Sequence, residues 1–224
     1  MNTKLISVTS SNIEDINSAE ELIVYCGRVS NPRNQMNMET APKLIKYLIK
    51  NAHWSPFEMA SMCVEIKTSR AIATQILRHR SFSFQEFSQR YASSTEFEPV
   101  QIRKQAETNR QSSSEEFDPV VLISSGIGEL DFDASFLIQD HLEESEMLYN
   151  NLISAGVARE CARMVLPLTT ETTLYMQGTI RSWIHYLNIR CDEHTQKEHR
   201  DIADSIKEIF IGQFPNISEA LNWK

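Results

Sequence analysis

Apolar side chains recur along the chain with two periods, one typical of helices and one typical of strands. Met62, Val64 and Ile66 alternate with polar residues, which predicts a half-buried strand, and residues 170–176 are also strand-like. Apolar positions three and four residues apart predict helices over about residues 19–29, 41–49, 69–80, 134–154, 158–166, 179–190 and 195–214. Many helices with a few strands predict an α+β fold.

Polar residues mark several of the predicted helix ends. Ser18 and Glu21 have the spacing of a capping box, and Thr40 is predicted to cap the second helix. Gly156 suits the C-terminal end of the helix over residues 134–154. Residues 81–91, in which aromatic and polar side chains alternate, are predicted to form a loop.

One stretch departs from these patterns. Residues 92–133 show no clear period and are rich in Ser, Glu and Gln, so we predict a variable surface segment, here called the acidic excursion. The chain carries neither internal repeats nor the composition of an inter-domain linker. We therefore predict a single domain over residues 1–224 that includes this excursion.

The charge of the chain is unevenly distributed. The formal net charge is −8, which argues against a nucleic-acid coat protein or an anionic-membrane binder. Residues 115–146 hold ten acidic and no basic residues, so the remainder holds 22 basic and 20 acidic residues. Residues 67–91 hold five basic residues and one acidic residue. A local cationic site in an acidic protein favours a small anionic ligand over a polyanion.

Several classes of site and location are disfavoured. The four cysteines form no CxxC pair, so reduced thiols in the cytoplasm are expected instead of disulfides or zinc. The N-terminus lacks the apolar stretch of a signal peptide, and no apolar run approaches membrane-spanning length. We expect no metal site, because histidine spacing is unsuitable and His79 lies between two arginines. Gly126-Ile127-Gly128 lacks the third glycine of a dinucleotide fingerprint.

Basic residues gather at the end of the helix predicted over residues 69–80. Arg78, His79 and Arg80 are adjacent, and guanidinium groups suit phosphates and planar carbonyl edges. If the following loop is extended, Ser88 and Arg90 share one side and form a plausible phosphate cradle. The alternative for the triplet is a solvated helix C-terminus, where cations complement the helix dipole.

A second polar stripe follows Gly178. Arg181, His185 and Asn188 lie four and three residues apart and share one helix face. This stripe could equally be a solvent-exposed surface. Cys191, beside Arg190, could be an activated thiolate, but it lies on the apolar face, which favours a small core residue. That apolar face is completed by Ile180, Ile184 and Leu187.

The basic residues together form a longer pattern. Arg78-His79-Arg80 is followed after seven residues by Ser88-Gln89-Arg90, and this RHRx7SxR spacing resembles the signature of flavin-dependent thymidylate synthases. The resemblance covers about residues 18–91 and 155–215. Further matching segments are His53-x-Ser55-x-Phe57-Glu58, Ala162-Arg163-x-Val165-Leu166-Pro167 and Arg181 to Arg190 with His194 and Gln196.

The resemblance implies an activity. Members of this family make dTMP from dUMP, with methylenetetrahydrofolate as the one-carbon donor and FAD, reduced by NADPH, as the hydride donor. It also implies a central antiparallel or mixed sheet flanked by helices, and a homotetramer with shared active sites. The protein then mainly binds, orients and polarises its ligands, because the cofactor carries the redox chemistry.

The resemblance also implies a set of site residues. Arg190 corresponds to the arginine that stabilises the ionised uracil ring, and Ser88 is expected to position that ring. Contacts to dUMP are implied for Gln75, Arg78, Glu86, Phe87, Ser88, Gln89, Arg90, Arg163 and Arg190. Contacts to FAD are implied for His53, Ser55, Arg78, His79, Arg80, Glu86, Thr179, Ile180, Arg181, His185 and His194.

Two positions depart from the family pattern, and two alternative functions stay open. Thr179 stands where the family often has Asn, and Met59 where it often has His. One alternative is a module that binds RNA or single-stranded DNA, because arginines are interleaved with the aromatic residues Phe82, Phe84, Phe87 and Tyr91. The other is a relative that binds nucleotide without catalysis.

Overall fold

The computed structural model describes residues 1–92, 95–125 and 128–223, so the Gly126-Ile127-Gly128 motif lies largely outside the described residues. Contacts divide the chain into two compact units. The larger unit consists of residues 2–66, 76–85 and 174 to the C-terminal end. The smaller unit consists of Met1 and residues 67–75 and 86–173.

Helices and strands alternate irregularly, and the predicted α+β class is confirmed. The strands are β1 (Asn2–Val8), β2 (Ser61–Ser69), β3 (Ser83–Glu86), β4 (Arg103–Gln105), β5 (Ser113–Glu116), β6 (Val120–Ser125), β7 (Gly128–Asp133) and β8 (Glu171–Thr179). The helices are α1 (Ala19–Gly27), α2 (Ala41–Lys50), α3 (Arg70–Ile76), α4 (Ala134–Ser154), α5 (Arg159–Ala162), α6 (Ile180–Arg190), α7 (Lys197–Gln213) and α8 (Pro215–Ala220). One sheet has the strand order β1-β2-β8-β3.

The larger unit is built around aromatic side chains of α6 and α7. Helix α6 packs on α7, α7 packs on β1, and α2 packs on α8. Trp183 is fully buried, and its Nε1 donates a hydrogen bond to the carbonyl of Met62 at 2.9 Å, which ties α6 to β2. The other large buried side chains here include Phe57, Tyr186, Phe210 and Phe214.

Gly178 is required where β8 meets the segment after α3. A Cβ atom added to Gly178 would lie 2.4 Å from Cδ1 of Phe82, which real Cβ contacts do not reach. The ring of Phe82 therefore packs directly on the β8 backbone, and it also meets the Trp183 ring edge-to-face at a ring-centroid distance of 4.8 Å. This contact holds the chain just beyond Arg80 against the strand that leads into α6.

The smaller unit contains the acidic excursion, which holds strand pairs that its sequence pattern did not predict. Strand β4 pairs with β5, and strand β6 pairs with β7, both in antiparallel orientation. Every residue of β5 is exposed, so this strand has no buried face. Its sequence therefore does not need the alternation of apolar and polar residues by which strands are recognised. Strand pairing here is made by backbone hydrogen bonds, which the side-chain pattern does not reveal.

Helix ends follow the sequence where the signal is local. Ser18 and Glu21 form the predicted capping box. Thr40 makes no capping bond, because its hydroxyl accepts from Nη2 of Arg28 at 2.7 Å. The predicted helix over residues 69–80 is wrong at both ends, since β2 extends to residue 69 and α3 ends at Ile76.

Besides the strands of the acidic excursion, two elements were missed and one lies in a segment predicted to be a loop. Strand β1 and helix α8 were not predicted, and β3 lies within the predicted loop over residues 81–91. The helix α4 has the predicted bounds. Among the described residues, no helix is both long enough and apolar enough to cross a membrane.

Candidate active site

A cavity of about 460 Å³ opens beside the polar face of α6 in the larger unit. The predicted stripe of Arg181, His185 and Asn188 lines it. Its remaining lining residues are Trp54, Glu58, Ser81, Ser182 and Ile184. The volume suits a small-molecule ligand, and an aromatic ring, a guanidinium and several hydroxyls converge on it.

Two contacts join the first turn of α6 to other segments that line this cavity. Nη1 of Arg181 donates to Oε1 of Glu58, an ion pair between exposed side chains. The hydroxyl of Ser182 donates to the carbonyl of Ser81 at 3.3 Å. Arg181 is thereby held over the cavity by the short 3-10 helix of residues 55–58.

Thr179 and Ile180 hold the start of α6 in place through hydrogen bonds. The Thr179 hydroxyl accepts a hydrogen bond from the Ser182 amide at 3.3 Å, so it caps the helix. Ile180 is fully buried, and its amide donates to the carbonyl of Ala60 at 3.0 Å. The flavin contact implied for Ile180 stays a prediction.

The basic triplet lies in a turn beyond α3, where the sequence had predicted the end of a longer helix. Arg78 and Arg80 are exposed, and His79 is half-buried. The turn is closed by the amide of His79, which donates to the carbonyl of Ile76 at 3.1 Å, and by that of Phe82, which donates to His79 at 3.2 Å. Both arginines are left facing solvent, where they can meet an anion.

Arg190 contacts the triplet from the far end of α6. Its Nε donates a hydrogen bond to Nε2 of His79 at 2.9 Å. Burial, followed by the charges of Arg190 and His185, lowers the pKa of His79 to about 4. His79 is therefore neutral near pH 7, which its role as acceptor for a guanidinium requires.

In the smaller unit, Glu86 is held by two neighbours. Its Oε1 accepts from Nη1 of Arg70 at 3.4 Å and from the hydroxyl of Thr172 at 3.0 Å. These contacts orient a carboxylate at the end of β3, just before Phe87 and Ser88.

The motif residues that follow form a turn, so the condition of an extended loop, under which Ser88 and Arg90 would share one side, is not met. The Arg90 amide donates to Oγ of Ser88 at 3.4 Å, and the Tyr91 amide donates to the Ser88 carbonyl at 3.1 Å. Local side-chain and backbone bonds of this kind favour turns over strands. Gln89 is only 4% exposed, and its Nε2 has no hydrogen-bond partner among the described residues. Arg90 is exposed.

The remaining predicted residues are exposed or half-buried. In the larger unit, His53, Ser55 and His194 are exposed. In the smaller unit, Gln75 is half-buried, and Nε of the half-buried Arg163 donates to the Glu160 carbonyl at 3.4 Å. Their predicted ligand contacts stay predictions.

Cys191 is a protonated thiol. Burial first, and then the neighbouring Asp204, raises its pKa to about 12, so an activated thiolate at neutral pH is wrong. Ile180, Ile184 and Leu187 are buried, as the apolar face of α6 predicted, while Cys191 is half-buried at its end.

The model of the family described as thymidylate synthase complementing protein matches residues 11–216. The chain belongs to this family. It is 52% identical to the "Probable flavin-dependent thymidylate synthase" of Paramecium bursaria Chlorella virus 1, over the whole of both chains. It is 47% identical to the "Flavin-dependent thymidylate synthase" of Synechocystis, again over the whole of both chains.

A solved structure shares the fold of this chain. It is the UMP/dUMP methylase PolB from Streptomyces cacaoi, bound with 5-Br dUMP. The TM-score is 0.76 and the identity 23%, covering 99% of this chain and 94% of the other. The family resemblance and the arrangement of sheet and helices expected from the sequence are therefore confirmed.

Sequence reasoning missed several residues of the cavity, among them Glu58, which was noted only as part of a family segment. Trp54, Ser81 and Ser182 line it, yet none was a candidate. Trp54 and Ser81 each adjoin a residue of the family motifs, which is the signal that could have drawn attention to them. Ser182 carries the same signal, because it lies within the segment from Arg181 to Arg190 that resembles the family.

Proposed function

We propose that the chain catalyses the reductive methylation of dUMP to dTMP. Methylenetetrahydrofolate supplies the one-carbon unit, and NADPH reduces FAD. The observation that supports this proposal most directly is the hydrogen bond between Arg190 and His79. It joins a residue that the family resemblance assigns to dUMP binding to one that it assigns to FAD binding. The full-length relatives that carry the name flavin-dependent thymidylate synthase support the same activity.

The chemistry of the α6 cavity fits FAD. Trp54 offers an aromatic face, Arg181 offers a cation and His185 offers a ring nitrogen, and FAD has a flat ring system and a pyrophosphate. When bound, FAD supplies the hydride that the reaction needs. The residues we propose to hold it are His53, Ser55, Arg78, His79, Arg80, Glu86, Thr179, Ile180, Arg181, His185 and His194.

Arg190 is proposed to act on the uracil ring. Its Nε is engaged by His79, so its terminal amino groups are the ones that can meet the ring. A cation at the ring edge stabilises negative charge there, and this raises the nucleophilicity of the carbon that is methylated. The charge is permanent, because a guanidinium does not deprotonate at accessible pH.

The remaining dUMP contacts bind and position the nucleotide. Arg78, Arg90 and Arg163 suit its phosphate, and Ser88 positions the ring. Gln89 has a buried amide nitrogen that can donate to a uracil carbonyl. The full proposed set is Gln75, Arg78, Glu86, Phe87, Ser88, Gln89, Arg90, Arg163 and Arg190.

We further propose a homotetramer with shared active sites, located in the cytoplasm. Both follow from the family resemblance. Sedimentation analysis of the purified chain tests the assembly, and a monomeric chain that turns over dUMP would contradict it.

Two measurements test the activity itself. The purified protein should show flavin absorbance that bleaches when NADPH is added under anaerobic conditions. It should also release tritium from dUMP labelled at C5 when methylenetetrahydrofolate is present. A protein that binds flavin but releases no tritium under folate-replete, anaerobic conditions would overturn the proposal.

A further inference from the structure

Behind His79 lies a buried polar pair that the proposed mechanism does not use. The hydroxyl of Tyr186 on α6 and Nε2 of His199 on α7 are 3.0 Å apart. Both side chains have no exposed surface. A buried phenol and a buried imidazole each need a partner, so the two groups satisfy one another between packed helices.

The ring of Tyr186 also forms one wall around His79. The two ring centroids are 4.8 Å apart with an interplanar angle of 81°, an edge-to-face contact. The ring of His199 stands 6.3 Å from that of His79, again nearly perpendicular. Phe82 closes a third side at 6.5 Å. The orientation of His79 is therefore set largely by Tyr186 and its neighbours.

The hydrogen bond from Arg190 fixes the tautomer of His79. A guanidinium only donates, so Nε2 of His79 must be the acceptor, and the imidazole proton must lie on Nδ1. A turn of the His79 ring would lose this bond. Arg190 would then lose the contact that directs its terminal amino groups.

His79, His199 and Tyr186 are uncharged near neutral pH, because burial lowers the pKa of both imidazoles and raises that of the phenol. The charged and titratable neighbours are His185 and Arg190 on α6, His199 on α7, and Tyr186. Burial, then Arg190, then His79 lower the pKa of His199 to about 3, and burial raises the pKa of Tyr186. A neutral imidazole and a protonated phenol can share one hydrogen bond without a charge between them.

We propose that Tyr186 and His199 are positioning residues: their hydrogen bond fixes the ring behind His79, and His79 in turn orients Arg190 toward the uracil ring. The inference rests on the proposed function for its last step. Neither residue touches the substrate in this account. Their contribution reaches the reaction only through His79 and Arg190.

The test begins with a readout that needs no substrate. In protein labelled with ¹⁵N-histidine, the native His79 signal should be that of the Nδ1–H tautomer, assigned through a His79→Gln variant. In Tyr186→Phe the signal should move toward a mixture of both tautomers. Tyr149→Phe is the matched control, because it removes a hydroxyl from another tyrosine that is 1% exposed.

Kinetics then separate positioning from a structural role. Tyr186→Phe should lower kcat about fivefold, the factor equivalent to one net hydrogen bond of about 1 kcal/mol. The KM for dUMP should stay within twofold of the native value. His199→Leu should behave in the same way, while His199→Gln keeps a polar partner for Tyr186 and should restore most of kcat.

The outcomes distinguish this proposal from the proposed function. An unmoved His79 signal in Tyr186→Phe overturns the positioning pair, whatever the activity. An equal loss of kcat in Tyr149→Phe also overturns the proposal, because the loss would then follow from removing any buried tyrosine hydroxyl. If the signal moves but the native chain does not turn over dUMP, the proposed function fails and the link from Tyr186 to His79 stands.

Discussion

Replacing Gly178 by alanine tests whether the packing of Phe82 sets the position of the basic triplet. The new Cβ would lie 2.4 Å from Cδ1 and 2.5 Å from Cε1 of the Phe82 ring. Carbon atoms pack best about 3.5–4.0 Å apart, so the ring must move by about 1 Å. Its movement is opposed by Trp183, whose indole is anchored to the Met62 carbonyl.

The magnitude follows from this overpacking. Extra methyl groups in a packed core cost about 1–3 kcal/mol. For a chain of this length each kcal/mol lowers Tm by about 2–4 °C, so we expect Gly178→Ala to melt about 2–12 °C lower. The amide of Phe82 bonds to the His79 carbonyl, so the displacement also reaches the triplet. A shift of about 1 Å can reduce kcat/KM by about 100-fold.

The assays are thermal unfolding by circular dichroism and steady-state turnover of dUMP. Gly212→Ala is the control, because nothing among the described residues lies within 4 Å of its added Cβ. In the helix α7 that change should stabilise by about 0.5–1 kcal/mol. A second change, Phe82→Leu, should recover part of the lost Tm in Gly178→Ala. Native-like Tm and turnover in Gly178→Ala would refute the reasoning.

Three other predictions concern individual side chains. Arg190→Ala should abolish turnover and keep FAD bound, while Arg80→Ala should lose flavin absorbance on gel filtration; equal FAD loss in both would contradict this division. Cys191→Ala should change kcat less than twofold, because its thiol stays protonated, and a large loss in a folded variant would contradict this. His79 and His199 have pKa values of about 4 and 3, below an unfolded value of about 6.5, so the unfolded chain binds more protons. The free energy of unfolding in urea should therefore fall from pH 6.5 to pH 4, by up to about 1.4 kcal/mol per pH unit for each imidazole. His199→Gln should reduce that slope, and an unchanged slope would contradict the assignment.

The sequence predicted local features well. The capping box of Ser18 and Glu21 depends on residues three apart, and the apolar face of α6 depends on helical period. The motif RHRx7SxR gave the family, because its spacing is long and specific. Such signals need no knowledge of which distant segments meet.

Distant contacts explain the failures. Thr40 is of a residue type that often caps helices, but its hydroxyl accepts a hydrogen bond from Arg28, twelve residues earlier. Strand β1 alternates only weakly between half-buried and exposed residues, which leaves little pattern to detect. The pairing of Arg190 with His79 joins residues 111 positions apart, so no local rule predicts it.

A single-turnover experiment tests the central claim most directly. The purified protein is reduced with NADPH under anaerobic conditions and then mixed with dUMP and methylenetetrahydrofolate, and flavin absorbance and dTMP are followed together. The account predicts that flavin absorbance returns as dTMP forms, with about one dTMP per flavin reoxidised. Flavin that stays reduced, or reoxidises without dTMP, would contradict it.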